Sequence, residues 1–474
     1  MTFDSLTFAV FLAVVFAAYW LTPGWTVRKV LLLVTSYVFY AFWNPFFVAL
    51  LIATTAFDWS VGRALARTDA IRTRKALLAG SIVVNLGALG FFKYAQFFAD
   101  TAVDLARAAG VTFQPMDLGI LLPVGISFYT FESVSYVVDV YRRKVPASRS
   151  FLDYGLYVTF FPHLVAGPIL RYGDFSPQCV VPKRLADAKV GLGAAMLMIG
   201  HALKVVLADL VFAPVSDKVF AVAGTLSAAE TWIGAASFSF QLYCDFAGYS
   251  LCAIGTALMF GFRFPSNFES PFGSIGIAEL WTRWHISLSS WLRDYVYIPL
   301  RGNRDGRARG AVNIMVTFVL CGLWHGAAWT YVVWGAVNGA FIVAERVVRD
   351  RVWDFTRARS PLVPWLLAFL TFGLFTLAVV FFRAPSLGHA GQMLLAMAGA
   401  GSTRTIPVLN SQDVTMALAL GAGVLVAHRL SVNVKGWRWL DDLHPAFATA
   451  LLAFAIFAVV ASPGLGPAFI YFQF

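Results

Sequence analysis

Charge is scarce in this 474-residue chain: 13% of its residues are Asp, Glu, Lys or Arg, against about a quarter in a soluble domain. With 59% hydrophobic residues and a mean hydropathy of +0.72, that shortage excludes an ordinary soluble globular protein and indicates a polytopic membrane protein. Cysteine is also sparse. Cys179, Cys244, Cys252 and Cys321 show no metal-ligand or disulfide spacing, and three of them lie in apolar runs, where they are expected to be small buried hydrophobes. There is no Gly-rich phosphate loop, Ser-His-Asp arrangement or metal-ligand cluster, so no metal site is expected. No internal repeat is visible, which counts against a transporter built from two related halves. No linker splits off a soluble domain. The first residues lack a basic n-region and a small-residue cleavage site, so the expectation is a retained first helix.

What the chain has in quantity is aromatic and aliphatic surface. Its 44 Phe, 15 Trp and 16 Tyr suit a helical bundle with aromatic belts at the water interfaces. The net charge of +11 comes from Lys and Arg in short loops between apolar runs. It therefore speaks to topology, and no nucleic-acid partner is expected. Candidate spans fall near 6–21, 30–43, 46–61, 77–98, 118–140, 190–212, 231–259, 362–382, 413–430 and 445–462. Basic loops at Arg28–Lys29, Arg63–Lys75 and Arg142–Arg149 are assigned to the cytoplasm by the positive-inside rule, and the 93–117 loop to the outside. Residues 154–170 are apolar but basic on both flanks, and Pro162 and Gly167-Pro168 interrupt them. This predicts a re-entrant element beside a cavity. The 261–310 stretch, with seven Arg and four acidic residues, is assigned to the cytoplasmic interface. Residues 311–344 then have cytoplasmic flanks at both ends, which predicts a tight hairpin of short helices, or a re-entrant pair, with His325 near its apex.

His325 stands in Cys321-Gly-Leu-Trp-His-Gly-Ala-Ala-Trp329. An ionisable residue in so apolar a run is costly, and its default reading is a functional site. A histidine there can deprotonate a hydroxyl that attacks an activated acyl group; the alternative is a helix-contact histidine bonded to a backbone carbonyl. Cys321, one turn earlier, raises a Cys-His acyl-enzyme, but an apolar setting without a cationic neighbour favours packing. Over 279–300, Leu280, Trp284, Leu288, Trp291 and Tyr295 share one helical face, with Glu279, Arg283, Arg293 and Asp294 opposite. This predicts an amphipathic interfacial helix with His285 at the edge of its stripe, either satisfied by neighbours or part of a site. Gln241 and Asp245, four apart in an apolar span, either orient a histidine, line a polar channel or lock helices together. His163 reads as a loop histidine lining the re-entrant turn.

Several segments together resemble the membrane-bound O-acyltransferase family, in its bacterial alginate O-acetyltransferase-like branch. They are Phe161-Pro-His-Leu-Val-Ala-Gly-Pro-Ile, Gln241-Leu-Tyr-Cys-Asp-Phe-Ala-Gly-Tyr-Ser and Phe264-Pro-Ser-Asn-Phe, then Trp281-Thr-Arg-Trp-His through Ile298-Pro-Leu, and Gly322-Leu-Trp-His-Gly-Ala. Ala247, Leu251, Cys321 and Arg301 depart from the residues usual in that family. The resemblance implies an all-α polytopic membrane protein with about ten to twelve transmembrane helices plus re-entrant helices around a central funnel. It implies catalytic roles for His325 and His285, and contacts to donor or acceptor from Trp324, Trp281, Arg293, Asp294, Gln241, Asp245, Asn267 and His163. The implied reaction moves acetyl from acetyl-CoA or another cytoplasmic acyl thioester toward an exported polysaccharide, with no permanently bound cofactor. The implied setting is the bacterial inner membrane and its lipid, with periplasmic accessory acetyltransferase or polysaccharide-export proteins as partners. D-alanyl or other acyl transfer to another envelope polymer, and transport, are the alternatives.

Overall fold

A computed structural model describes the chain except for residues 2, 4, 112–113, 115, 223–224, 356–359, 402–406, 435–452 and 454–474. The described residues form helices and no strands. In order they are α1 (Leu6–Leu21), α2 (Trp25–Ala41), α3 (Phe46–Arg67), α4 (Ile71–Ala108), α5 (Ile126–Tyr141), α6 (Phe151–Thr159), α7 (Phe161–Leu164), α8 (Tyr172–Val180) and α9 (Val190–Ala202). Next come α10 (Ala213–Phe220), α11 (Ala228–Met259), α12 (Ile277–Arg283), α13 (Ile286–Leu292), α14 (Arg307–His325), α15 (Trp329–Arg351), α16 (Val363–Arg383), α17 (Leu387–Met397) and α18 (Ser411–Leu430). Among the described residues, eight stretches are long and apolar enough to cross a membrane: α3, α4, the run from α9 through α10, α11, α14, α15, α16 and α18. The chain is thus an all-α polytopic membrane protein. The expected span at 445–462 lies, but for Ala453, outside the described residues.

The chain divides into two compact units, Met1–Ala194 with Ala253–Pro265, and Ala195–Cys252 with Ser266–Phe474. In the first, polar groups that would be orphaned among apolar helices satisfy one another. Asp58 of α3 is fully buried and accepts from Ser81 Oγ at 2.6 Å and Asn85 Nδ2 at 2.8 Å, both on α4. Residues 151–170 form the short helices α6 and α7 followed by irregular backbone, with the break at Phe160, just before Pro162.

In the second unit, two expectations are corrected. The 311–344 segment is a hairpin of two long helices, 19 residues in α14 and 23 in α15, each able to span, rather than of short ones. Glycines let them approach: a Cβ on Gly322 would stand 2.1 Å from the Tyr331 carbonyl oxygen, and one on Gly335 would stand 2.2 Å from that of Phe318. The 279–300 segment is not one amphipathic helix. It breaks into α12 and α13 at His285, then winds as a π-turn over Arg293–Tyr297. Its apolar stripe is nonetheless buried, with Leu280, Trp284, Leu288 and Trp291 all inside. What overrides the helical period is the main chain at His285, held at φ 44°, ψ 55°. That left-handed conformation is costly for a residue with a Cβ.

Candidate active site

His325 is the last residue of α14, and the turn Gly326–Ala328 leads straight into α15. Gly326 allows that turn, since a Cβ there would lie 2.1 Å from the Tyr331 ring. Hairpin closure therefore sets His325 among aromatic rings. Trp324, Trp334 and Phe382 stand around its imidazole at 4.9, 5.0 and 5.2 Å between centroids, each steeply inclined to it. His325 is 4% exposed, so its imidazole is screened from bulk water.

His285 joins the same cluster through Trp324, whose ring lies 5.9 Å from it, and packs against Phe246 of α11 at 4.6 Å. Asn267 determines its posture. Asn267 Oδ1 lies 3.1 Å from His285 Nδ1 and accepts from the Ser287 N–H at 3.3 Å and the Ser287 hydroxyl at 2.9 Å. Asn267 Nδ2 donates to Ser250 Oγ on α11 at 3.2 Å. Complete burial outside the spanning helices pulls the His285 ring down to about 3, so it stays neutral at physiological pH.

A cleft of about 400 Å³ opens beside α14. Arg293 and Arg346 line it, with Trp281 and Ser290, and Cys321 lies on its wall. Ile314, Thr317, Phe318 and Cys321 form one stripe of α14, and the next residue on that face is His325, about 6 Å farther along the axis. The cleft thus combines a cationic flank suited to phosphate with a wall that runs toward the candidate base. Trp281 is fixed by donating its indole N–H to Asn338 Oδ1 at 3.3 Å and by stacking edge-on to Trp334. Arg293, itself exposed, also pairs with half-buried Asp294 at 2.9 Å.

The remaining sequence candidates have partners of their own. His163 belongs to the first unit, where its Nδ1 is 3.2 Å from Glu132 Oε1 and both residues are buried. Asp245 pairs with Lys204 at 2.6 Å, and Lys204 also holds Asp209 at 2.9 Å. Lys204 and Asp209 are five residues apart inside a π-helical stretch, Leu203–Phe212, whose wider turn brings positions i and i+5 together. Gln241, one turn before Asp245, is also buried. Sequence reasoning missed Glu132, Lys204 and Asp209. The signal was present, because each is an ionisable residue in an apolar run, the feature that singled out His325. Trp334, Phe382 and Phe246 had no such signal, since an aromatic in a membrane helix is ordinary. Among the described residues no group of His, Cys, Asp or Glu is arranged to hold a metal.

With a histidine pair joined through Trp324 and a cleft leading toward it, the comparison with known proteins is decisive. The model of the membrane-bound O-acyltransferase family matches residues 16–382. The chain belongs to that family. This membrane-bound O-acyltransferase is 42% identical over 434 residues to the probable alginate O-acetylase AlgI of Azotobacter vinelandii, covering 90% of this chain and 84% of that protein. It is 34% identical over 419 residues to the peptidoglycan O-acetyltransferase of Helicobacter pylori, covering 82% and 78%. To the teichoic acid D-alanyltransferase of Streptococcus thermophilus it is 29% identical over 235 residues, covering 46% and 56%. The chain is an O-acyltransferase and a multi-pass membrane protein.

Proposed function

We propose that this acyltransferase moves acetyl from a thioester donor on the cytoplasmic side of the bacterial inner membrane toward hydroxyl groups of an exported envelope polysaccharide, as its alginate O-acetylase relatives suggest. The observation that carries this reading is the His285–Trp324–His325 cluster reached along the α14 stripe from an arginine-flanked cleft. Arg293 and Arg346 attract the phosphates of acetyl-CoA or of another phosphate-bearing thioester, and the acyl arm lies along α14. His325 takes the proton of the attacking hydroxyl as that oxygen bonds to the thioester carbonyl carbon. The proton leaves with the departing thiolate. His285 orients the hydroxyl. A periplasmic accessory acetyltransferase or export protein completes delivery to the polymer, and membrane lipid surrounds the spans.

The test is His325→Ala in the purified protein, followed by release of free thiol from acetyl-CoA and by ester-linked acetate on the exported polymer. The expected result is a folded variant that has lost both. A variant that acetylates at the wild-type rate refutes the general-base role. Transfer of D-alanine in place of acetyl by the wild type refutes the choice of acyl group.

A further inference from the structure

We propose that Asn267 is the positioning residue of the second histidine: its amide oxygen fixes His285 as the Nδ1–H tautomer, so that Nε2 offers a lone pair to the acyl-transfer site. This rests on the reading above, in which His285 belongs to that site. The Ser287 backbone N–H can only donate, and the Asn267 atom it reaches, at 3.3 Å, must be the amide oxygen. The other end of the amide, 3.2 Å from Ser250 Oγ, is therefore the NH₂. An amide oxygen only accepts, so the His285 Nδ1 lying 3.1 Å from it carries the hydrogen. In a neutral imidazole the remaining nitrogen then bears the lone pair.

A second observation gives the same residue the same task. His285 is one of four non-glycine residues at positive φ among the described residues. Its left-handed backbone persists only where the surroundings over-determine it, and such sites cluster where function needs them. Asn267 supplies that constraint on the chain immediately after His285. Its carbonyl accepts the Ile286 N–H at 2.9 Å, and its side chain accepts both the N–H and the hydroxyl of Ser287. Asn267 is 1% exposed and His285 is fully buried, so neither contact is shared with bulk water. One asparagine thus sets the turn, the ring orientation and the tautomer. The consequence is specific. His285 Nε2 accepts a hydrogen bond from a hydroxyl and cannot donate one to the developing oxyanion of the thioester carbonyl.

The experiment is nitrogen-15 spectroscopy of the detergent-solubilised full chain with labelled histidine, the His285 signals being assigned by their loss in His285→Gln. Acetyl transfer from acetyl-CoA is measured in parallel. The wild type is expected to show a protonated Nδ1 and an unprotonated Nε2 at His285. Asn267→Ala is expected to lose that preference and about 100-fold in kcat with donor KM unchanged, the size of effect typical of a misoriented or wrongly tautomeric imidazole. A wild-type spectrum with Nε2 protonated overturns the inference whatever the activity, and whether or not Asn267→Ala folds. An Asn267→Ala enzyme with normal kcat also overturns it. A wild type that transfers no acetyl overturns the functional reading, and the spectrum still decides the tautomer.

Discussion

Replacing Lys204 by methionine isolates one electrostatic contribution to this membrane core. The ammonium lies 2.6 Å from Asp245 and 2.9 Å from Asp209, and the three side chains are 8%, 2% and 3% exposed. At an effective dielectric constant near 20, each contact is worth about 6 kcal/mol of Coulomb attraction before desolvation is counted. Desolvation removes much of that, so the pairs' net contribution is far smaller than the sum. Methionine keeps the aliphatic volume and leaves two buried carboxylates facing each other, a change that costs about 3–5 kcal/mol when a buried charge loses its partner. The damage reaches the site because Phe246, beside His285, and Ser250, which holds Asn267, share α11 with Asp245. The assay is thermal unfolding of the detergent-solubilised protein together with acetyl transfer. Lys204→Met should lower both. Lys204→Met/Asp209→Asn/Asp245→Asn, which removes every charge of the triad, should recover most of the stability. A single variant as stable as the wild type, or a triple variant worse than the single one, refutes the reasoning.

Three further outcomes are expected. Gly322→Ala places a methyl 2.1 Å from the Tyr331 carbonyl oxygen and should destabilise the α14–α15 hairpin by about 1–3 kcal/mol, measured as a lower midpoint of thermal unfolding; an unchanged midpoint sinks the close-approach argument. Cys321→Ala should keep acetyl transfer within a few-fold of wild type, because the thiol is a buried wall residue of the cleft; loss of all activity would instead indicate a covalent acyl-cysteine. Burial holds His285 near 3, whereas an exposed histidine titrates near 6.5. Between those values the unfolded chain binds the extra proton, so stability should fall as pH drops below about 6.5 and stay level above it. His285→Gln should make that fall shallower in an unfolding series from pH 4 to 8, with other buried histidines such as His428 keeping part of it, and an equally steep fall in the variant counts against a neutral buried His285.

Much of the candidate site was legible as residues that call for a role, because membrane burial makes ionisable side chains conspicuous. His325 stood out in an apolar run, and hairpin closure put it at the turn between α14 and α15. His285 was legible as a residue but not as a conformation. The apolar period across 279–300 is helical, and nothing local announces that the chain breaks at φ 44°. Asn267 belonged to a recognisable motif, yet its work on the following turn depends on hydrogen bonds 18 to 20 residues away. The ion triad was legible in part, since Asp245 was flagged and Lys204 was not, and the π-helical register that brings Lys204 and Asp209 together has no simple sequence period.

Composition alone determined that this chain is helical and crosses a membrane, because a backbone in hydrocarbon must satisfy its hydrogen bonds internally and 13% charge leaves too little polar surface for water. Its motifs determined the family and with it the class of reaction, O-acyl transfer, since their residues and their order along the chain are local information. Tertiary structure alone decided which aromatic rings enclose His325, which amide orients His285, and which side chains line the cleft that runs toward them. Those are distances between residues far apart in the chain, created by glycine-mediated helix approach and by packing, and no one-dimensional pattern encodes them.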